Sequence, residues 1–230
     1  MGRKNKSHHK VFIMKKLLPS DFVCMNDYEG SHALRVDLVY AQEHHPENIF
    51  KTKIYRTDAK LWLHKLLAEI VLEAANLAEK KNLRFVLKDG YRPVEAQALM
   101  EETEIVKQNP QWLIPPRMLS PAGLGGHPRG MAIDLELETA SGKKIDYGTV
   151  FDELNAEGAP NKSARDYMDF APEVLENRKT LEGIMVRAGD NCGRELVPLP
   201  NEWWDFRLNS DFSNLYETKS DKDLGLGVAL

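Results

Sequence analysis

The order of apolar and polar residues changes period several times along the chain, and each change predicts an element. Arg35-Val36-Asp37-Leu38-Val39-Tyr40 alternates and predicts a strand. Residues 41–53 are polar, include Pro46 and Asn48, and predict a loop. Leu61, Trp62, Leu66, Ile70 and Leu77 form an apolar stripe behind Asp58, a fair N-cap, and predict a helix over 59–81. Leu83 to Asp89 predicts a strand stopped by Gly90. Pro93 then opens a helix over 94–107, because proline in a first turn costs no hydrogen bond. Residues 109–126 are rich in proline and end in Gly123-Leu124-Gly125-Gly126, an irregular segment of a length that is often functional. Met131 to Leu137 predicts a strand with Ile133, Leu135 and Leu137 on one face, Asp134 and Glu136 on the other. Residues 140–170 read as loop and 173–187 as helix, and a last strand carries Glu202 through Leu208. No repeat or linker divides these elements. They predict one α+β domain over 19–210, with helices packed on a mostly antiparallel central sheet. A flexible basic leader, 1–18, precedes it, and a polar tail, 211–230, follows.

Composition narrows the class. The chain has 230 residues, 42% hydrophobic and 29% charged, which suits an ordinary globular protein able to bury a core without staples. A net charge of −4 argues against nucleic acid as a partner. No apolar run approaches the roughly 18 residues of a membrane span. The leader has only a short apolar break, Val11 to Met14, so no secretory signal is read and a cytoplasmic location is expected. Cys24 and Cys192 match no paired metal motif and suit a reducing compartment. His8 and His9 read as surface residues, and His64 as structural or exposed.

Three segments carry candidate chemistry. In Asp89-Gly90-Tyr91-Arg92-Pro93 a strand turns into a helix and projects Arg92, which can bind a carboxylate or steady an oxyanion. The competing reading is a surface arginine paired with Asp89. His127, the last histidine, and Asp134 are ordinary zinc ligands separated by a turn at Gly130. Asp134 sits in an apolar strand, where a buried carboxylate must be paired or metal-bound; a hydrogen bond to the preceding loop is the alternative. In Glu202-Trp203-Trp204-Asp205-Phe206 an acid beside a metal can take a proton from bound water and return it to a leaving amine. Trp203 and Trp204 either wall that pocket or belong to the core.

Asp-Gly-Tyr-Arg-Pro at 89–93, His-x-x-Gly-x-Ala-x-Asp at 127–134, Tyr147 to Asp152, Asn177-Arg178 and Glu202-Trp203-Trp204 occur in that order. Together they resemble the D-alanyl-D-alanine dipeptidases, the family of the vancomycin-resistance dipeptidases, related to D-alanyl-D-alanine carboxypeptidases and hedgehog-like domains. The resemblance runs from about Val36 to Leu208. It implies a metallopeptidase with a zinc D,D-peptidase-like fold and a small cell-wall peptide as substrate. It also implies that His127 and Asp134 hold zinc, that Glu202 is the catalytic base, that Arg92 steadies the substrate or transition state, and that Asp152 holds the dipeptide amino group.

The chain departs from the family pattern twice. Gly125 stands where the family has serine, and Asp205 stands where it has the histidine that is the third ligand. Aspartate is an accepted ligand. Two carboxylates and a dication nevertheless leave no net charge, where two imidazoles and one carboxylate leave one positive charge. The expectation is a less acidic bound water and a site in which manganese or iron competes with zinc. The alternatives are a site closed by Cys192 or a leader histidine, a weakly active or non-catalytic peptide-binding protein, and a related cell-wall peptide carboxypeptidase.

Overall fold

In the computed structural model, which describes residues 14–115, 117–154 and 158–230, a sheet of five strands forms the scaffold. These are β2 (Leu34–Val36), β4 (Leu83–Asp89), β5 (Ala132–Thr139), β6 (Leu196–Pro198) and β7 (Asp205–Leu208), ordered β2-β4-β5-β7-β6. Only β2 runs parallel to its neighbour, so the expected mostly antiparallel sheet is present. A separate pair joins β1 (Phe22–Cys24) to β3 (Trp62–His64). Helices α1 (Lys65–Glu79) and α4 (Pro172–Asn191) pack on each other, α1 also on β4 and α4 also on β6. Leu67, Ile70, Val71, Leu181 and Met185 are buried from the helices, and Phe85, Leu87, Ile133 and Leu135 from the sheet. Burying each such side chain contributes roughly 1.5–3 kcal/mol.

Several predicted boundaries move for identifiable reasons. The strand expected over 35–40 ends at Val36, and Val39–Ala41 form a tight 3-10 turn. All three turn residues are buried, and the Tyr40 hydroxyl donates to Asp152. The helix expected from Asp58 starts at Lys65. Leu61 and Leu63 point inward from an extended segment, and Asp58 pairs with Arg56 instead. His64 is the N-cap: its Nδ1 accepts the Leu66 N–H at 3.3 Å, so this buried histidine is structural. The helix expected over 94–107 is two, α2 (Val94–Glu101) and α3 (Glu104–Gln108), parted near Thr103, whose hydroxyl donates to the Met100 carbonyl at 2.6 Å. The last strand begins at Asp205 rather than Glu202, because 199–204 form the loop of the β6–β7 hairpin.

Met14 to Leu18 are the described part of the expected leader. Leu17 is buried, and Lys15 bridges to Tyr216. Residues 211–230 also pack onto the body. They form α5 (Ser210–Ser213) and α6 (Asp221–Leu224). The Asp221 carboxylate then accepts the backbone N–H groups of Leu226, Val228 and Ala229 at 2.8–3.1 Å. Among the described residues, no helix is long and apolar enough to cross a membrane.

Candidate active site

Three carboxylates lie in one row across three adjacent strands. Asp134 on β5 is in register with Asp205 on β7. On the other side, β4 pairs Leu87 with Leu135 and then, after an irregularity at Lys88, Asp89 with Asp134. That extra residue is a bulge, and it brings Asp89 level with the other two instead of one position away. Like charges placed opposite one another across strands repel. The row therefore holds only if cations are set among its members, and the chain supplies three groups.

The first is Arg92, which follows β4 and is buried. Its Nε donates to Asp89 Oδ2 at 2.7 Å, and Nη2 lies 3.3 Å from Asp134 Oδ2. The sequence alternatives both hold in part: Arg92 does pair with Asp89, but inside the site rather than on the surface. The second is His127, at the start of a short 3-10 turn ending in Gly130 at φ 63°. Its Nδ1 faces the Gly90 carbonyl at 2.8 Å, and since a carbonyl only accepts, Nδ1 carries a proton. Nε2 is turned to the carboxylates, 3.6 Å from Asp134 Oδ1 and 3.4 Å from Asp205 Oδ2. Burial and Arg92 push the imidazole pKa down, but Asp134 and Asp205 outweigh them and raise it to about 10. The third is Arg207, which the sequence reading missed. Its Nε donates to Asp205 Oδ1 at 2.8 Å and its Nη2 to Oδ2. Burial alone would push the Asp205 carboxyl up; the Arg207 charge and fork, with His127, hold it well below the usual carboxylate range.

The two distances from His127 Nε2 suit an ion. Ligand atoms held about 2.1 Å from a tetrahedral metal lie about 3.4 Å apart, close to the separations from His127 Nε2 to Asp134 and to Asp205. Asp134 Oδ1 is buried with no hydrogen-bond partner among the described residues, an orphaned oxygen that a metal would satisfy. Asp134 also belongs to two trios whose ligand atoms lie within 4.8 Å of one another, one with Asp89 and His127, the other with Glu202 and Asp205. Cys192 ends α4 beside Glu69 and Glu73, away from this cleft. His8 and His9 lie outside the described residues.

Around this centre the cleft is lined by Tyr40, Ile49, Phe50, Arg117 to Ser120, Asp152, Leu154, Leu199 and Glu202. Glu202 is half-buried on the hairpin loop. Burial first, then the Asp205 and Asp134 charges, push its carboxyl well above the usual range. Asp152 sits at φ 57°, a left-handed conformation that aspartate tolerates better than most residues. Its Oδ2 accepts the Tyr40 hydroxyl. Burial and the Asp134 charge raise the Asp152 carboxyl to about 7. Tyr40 had no local signal in the sequence. Arg207 had one: alternation on a strand places residues 205 and 207 on the same face.

Trp203 and Trp204 do not wall the cleft; both are core. Trp203 stacks on Tyr147 with centroids 4.2 Å apart and donates to Thr149 Oγ1 at 2.8 Å. Trp204 meets Phe151 edge-on. They thus brace the segment that carries Asp152. Arg178 ties down the same segment through three backbone carbonyls, those of Tyr147, Lys162 and Ala164, at 2.8–3.0 Å. Gly125 is at φ 86°, and a Cβ there would lie 3.2 Å from Ser120 Oγ, so the Ser120 hydroxyl fills the space a side chain at 125 would use.

The chain resembles known proteins over most of its length. The peptidase M15 family model, described as D-ala-D-ala dipeptidase, matches residues 25–220. A D-alanyl-D-alanine dipeptidase of Escherichia coli (strain K12) is 30% identical over 175 residues, 76% of this chain and 79% of its own length. A D-alanyl-D-alanine dipeptidase of Enterococcus faecium is 30% identical over 162 residues, 65% of this chain and 75% of its own. Among solved structures, the Serratia marcescens L-Ala D-Glu endopeptidase ChiX aligns with a TM-score of 0.40 at 13% identity, covering 66% of this chain and 84% of its own. The LD-carboxypeptidase LdcB aligns with a TM-score of 0.39 at 15% identity, covering 92% of this chain and 77% of its own.

Proposed function

The chain belongs to the D-Ala-D-Ala dipeptidase family of metallopeptidases, and from that premise we propose that it hydrolyses D-Ala-D-Ala, or a closely related cell-wall dipeptide, in the cleft around Asp134. The observation that carries this reading is the placement of the orphaned Asp134 Oδ1 and of Asp205 Oδ2 at 3.6 and 3.4 Å from His127 Nε2, with Glu202 and Arg92 in the same cleft. A divalent metal goes with the family, and zinc suits this imidazole–carboxylate set, with manganese or iron as competitors. His127, Asp134 and Asp205 would hold the ion, which when bound supplies an acidified water and polarises the scissile carbonyl.

The remaining steps belong to the chain's own groups. Asp152, fixed by Tyr40, takes the free ammonium of the dipeptide; pairing with that cation favours its charged form. Selection of a free ammonium by Asp152 would favour substrates with no residue before the first, as a dipeptidase requires. Arg92 is held rigidly by Asp89 and Asp134, so it offers fixed N–H groups to the oxyanion that develops on the carbonyl. Glu202 accepts the proton that the attacking water gives up and passes it to the leaving nitrogen as the C–N bond breaks. Burial, and then its place beside Asp205 and Asp134, raise its proton affinity, which suits a group that must both take and return a proton.

The test is hydrolysis of D-Ala-D-Ala by protein loaded in turn with zinc, manganese, iron and cobalt, alongside metal analysis. Absence of turnover with all four ions between about pH 6 and 9 would refute it, since a working acid–base group must titrate near there. Glu202→Gln should lower kcat by about 10²–10⁴ while leaving metal content unchanged. A peptide-binding protein without catalysis predicts instead that this variant alters affinity alone.

A further inference from the structure

Asp205 and Arg207 share one face of β7, two residues apart. Across the sheet Arg207 faces Ala132 on β5 and Val197 on β6. Neither side chain offers an acceptor to a guanidinium. Arg207 has therefore turned along its own strand and grips both oxygens of Asp205 in a two-point fork. The gripped oxygen Oδ2 is the one that stands 3.4 Å from His127 Nε2. Arg207 itself lines the cleft, and its side chain is 22% exposed, so it is part of the site and not of the core.

A lone aspartate at 205 could turn about its side-chain bonds and would set a second negative charge directly opposite Asp134. The fork removes both difficulties. Held at two points, the carboxylate loses its rotational freedom. With the guanidinium included, two carboxylates around a dication carry one net positive charge, the same as two imidazoles and one carboxylate. Arg207 would thus offset the charge by which the ligand set alone falls short of a His/His/Asp set.

We propose that Arg207 is the positioning residue of the metal site, orienting Asp205 as third ligand and offsetting its extra charge. The inference rests on the reading of Asp205 as a ligand. Residues of this kind, hydrogen-bonded to a ligand and not to the ion, typically change metal affinity ten- to a hundredfold when removed.

The experiment measures zinc affinity by competition with a chromophoric chelator near pH 7, with no substrate present. It compares the unmodified protein with Arg207→Met, Arg207→Lys and Asp205→Ala, and follows the fold of each metal-free form by circular dichroism. Arg207→Met should bind zinc about ten- to a hundredfold more weakly. Arg207→Lys, which keeps the charge but not the fork, should fall between that variant and the unmodified protein. Should Arg207→Met fail to fold, the lysine variant decides alone: weaker zinc binding supports the proposal, and unchanged or tighter binding overturns it. A folded Arg207→Met that binds zinc as tightly as the unmodified protein, or more tightly, also overturns it, because Arg207 would then be competing with the ion for Asp205. Asp205→Ala separates the two readings. If it retains full zinc affinity, Asp205 is not a ligand and the premise fails; if it loses zinc while Arg207→Met does not, only the role given to Arg207 fails.

Discussion

Arg178→Met tests how the site is held from behind. Arg178 projects from α4 and is buried, with its guanidinium carbon 4.7 Å from the centre of the Phe170 ring. Its three donor nitrogens reach the carbonyls of Tyr147, Ala164 and Lys162 at 2.8, 3.0 and 3.0 Å. A hydrogen bond from a charged donor contributes about 1.5–3 kcal/mol. Three together set an upper range of roughly 5–9 kcal/mol. Two effects reduce this. The methionine stem keeps part of the packing on Phe170, and water can enter to serve some of the freed carbonyls. The expected loss is about 3–5 kcal/mol, in the range of other broken buried networks. The assay is urea unfolding of the metal-free protein. With a slope of about 2 kcal/mol per M, the midpoint should fall by roughly 2 M at unchanged slope. Arg178→Lys can serve one carbonyl and should recover about a third of the loss. Because these carbonyls flank Asp152, KM for the dipeptide should also rise in whatever fraction remains folded. A loss below about 1 kcal/mol, or a lysine variant no better than methionine, would show that the carbonyls are satisfied without the arginine and that the clamp is incidental.

Two further expectations follow from local geometry. Gly130 has φ 63°, and an added Cβ would lie 2.6 Å from Phe22 Cε1 and 2.8 Å from the His64 nitrogen. Gly130→Ala should therefore cost about 3 kcal/mol or more and weaken metal binding through His127; a thermal melt equal to that of the parent would refute the close approach. Burial lowers the His64 pKa to about 4, and its neutral Nδ1 caps α1. The folded value is below the unfolded one near 6.5, so the stabilisation is present above about pH 6.5 and is lost as the pH falls toward 4. After allowance for partial solvent access the loss is about 2 kcal/mol. His64→Asn, which caps without titrating, should show a flatter stability profile over that range; parallel profiles would refute the assignment.

Local chemistry marked most of the site's residues as candidates, and the order of motifs that carries the family resemblance gave them roles. Arg92, His127, Asp134, Glu202 and Asp205 each sit in a short segment whose chemistry is odd for its setting, such as a carboxylate in an apolar strand. The structure brings all five into one cleft. What stayed hidden depends on contacts distant in sequence. Tyr40 reads as one more strand residue until the turn at Val39–Ala41 aims it at Asp152. Asp89 reads as a surface partner for Arg92 until a bulge slides it into line with Asp134. The N-terminus of α1 was misplaced because Leu61 and Trp62 fit a helical stripe by spacing alone, while their real constraint is the pairing of β3 with β1. Arg207 was the one omission the sequence could have prevented.

The row of Asp89, Asp134 and Asp205 also makes the site a check on how the chain has folded. The three residues come from strands distant in sequence and are level only in one alignment of the sheet. A slip of a single residue between β5 and β7 would turn Asp205 to the opposite face, away from Asp134 and His127, with which it is proposed to bind the ion. Loss of the β4 bulge would set Asp89 opposite Ile133 and strip Arg92 of its anchor. On the proposed ligand set, tight ion binding would need central strands that are correctly aligned. With His127, Asp134 and Asp205 as the proposed ligands, an ion would favour the native register over its near neighbours, so the yield of folded protein should rise with metal supply.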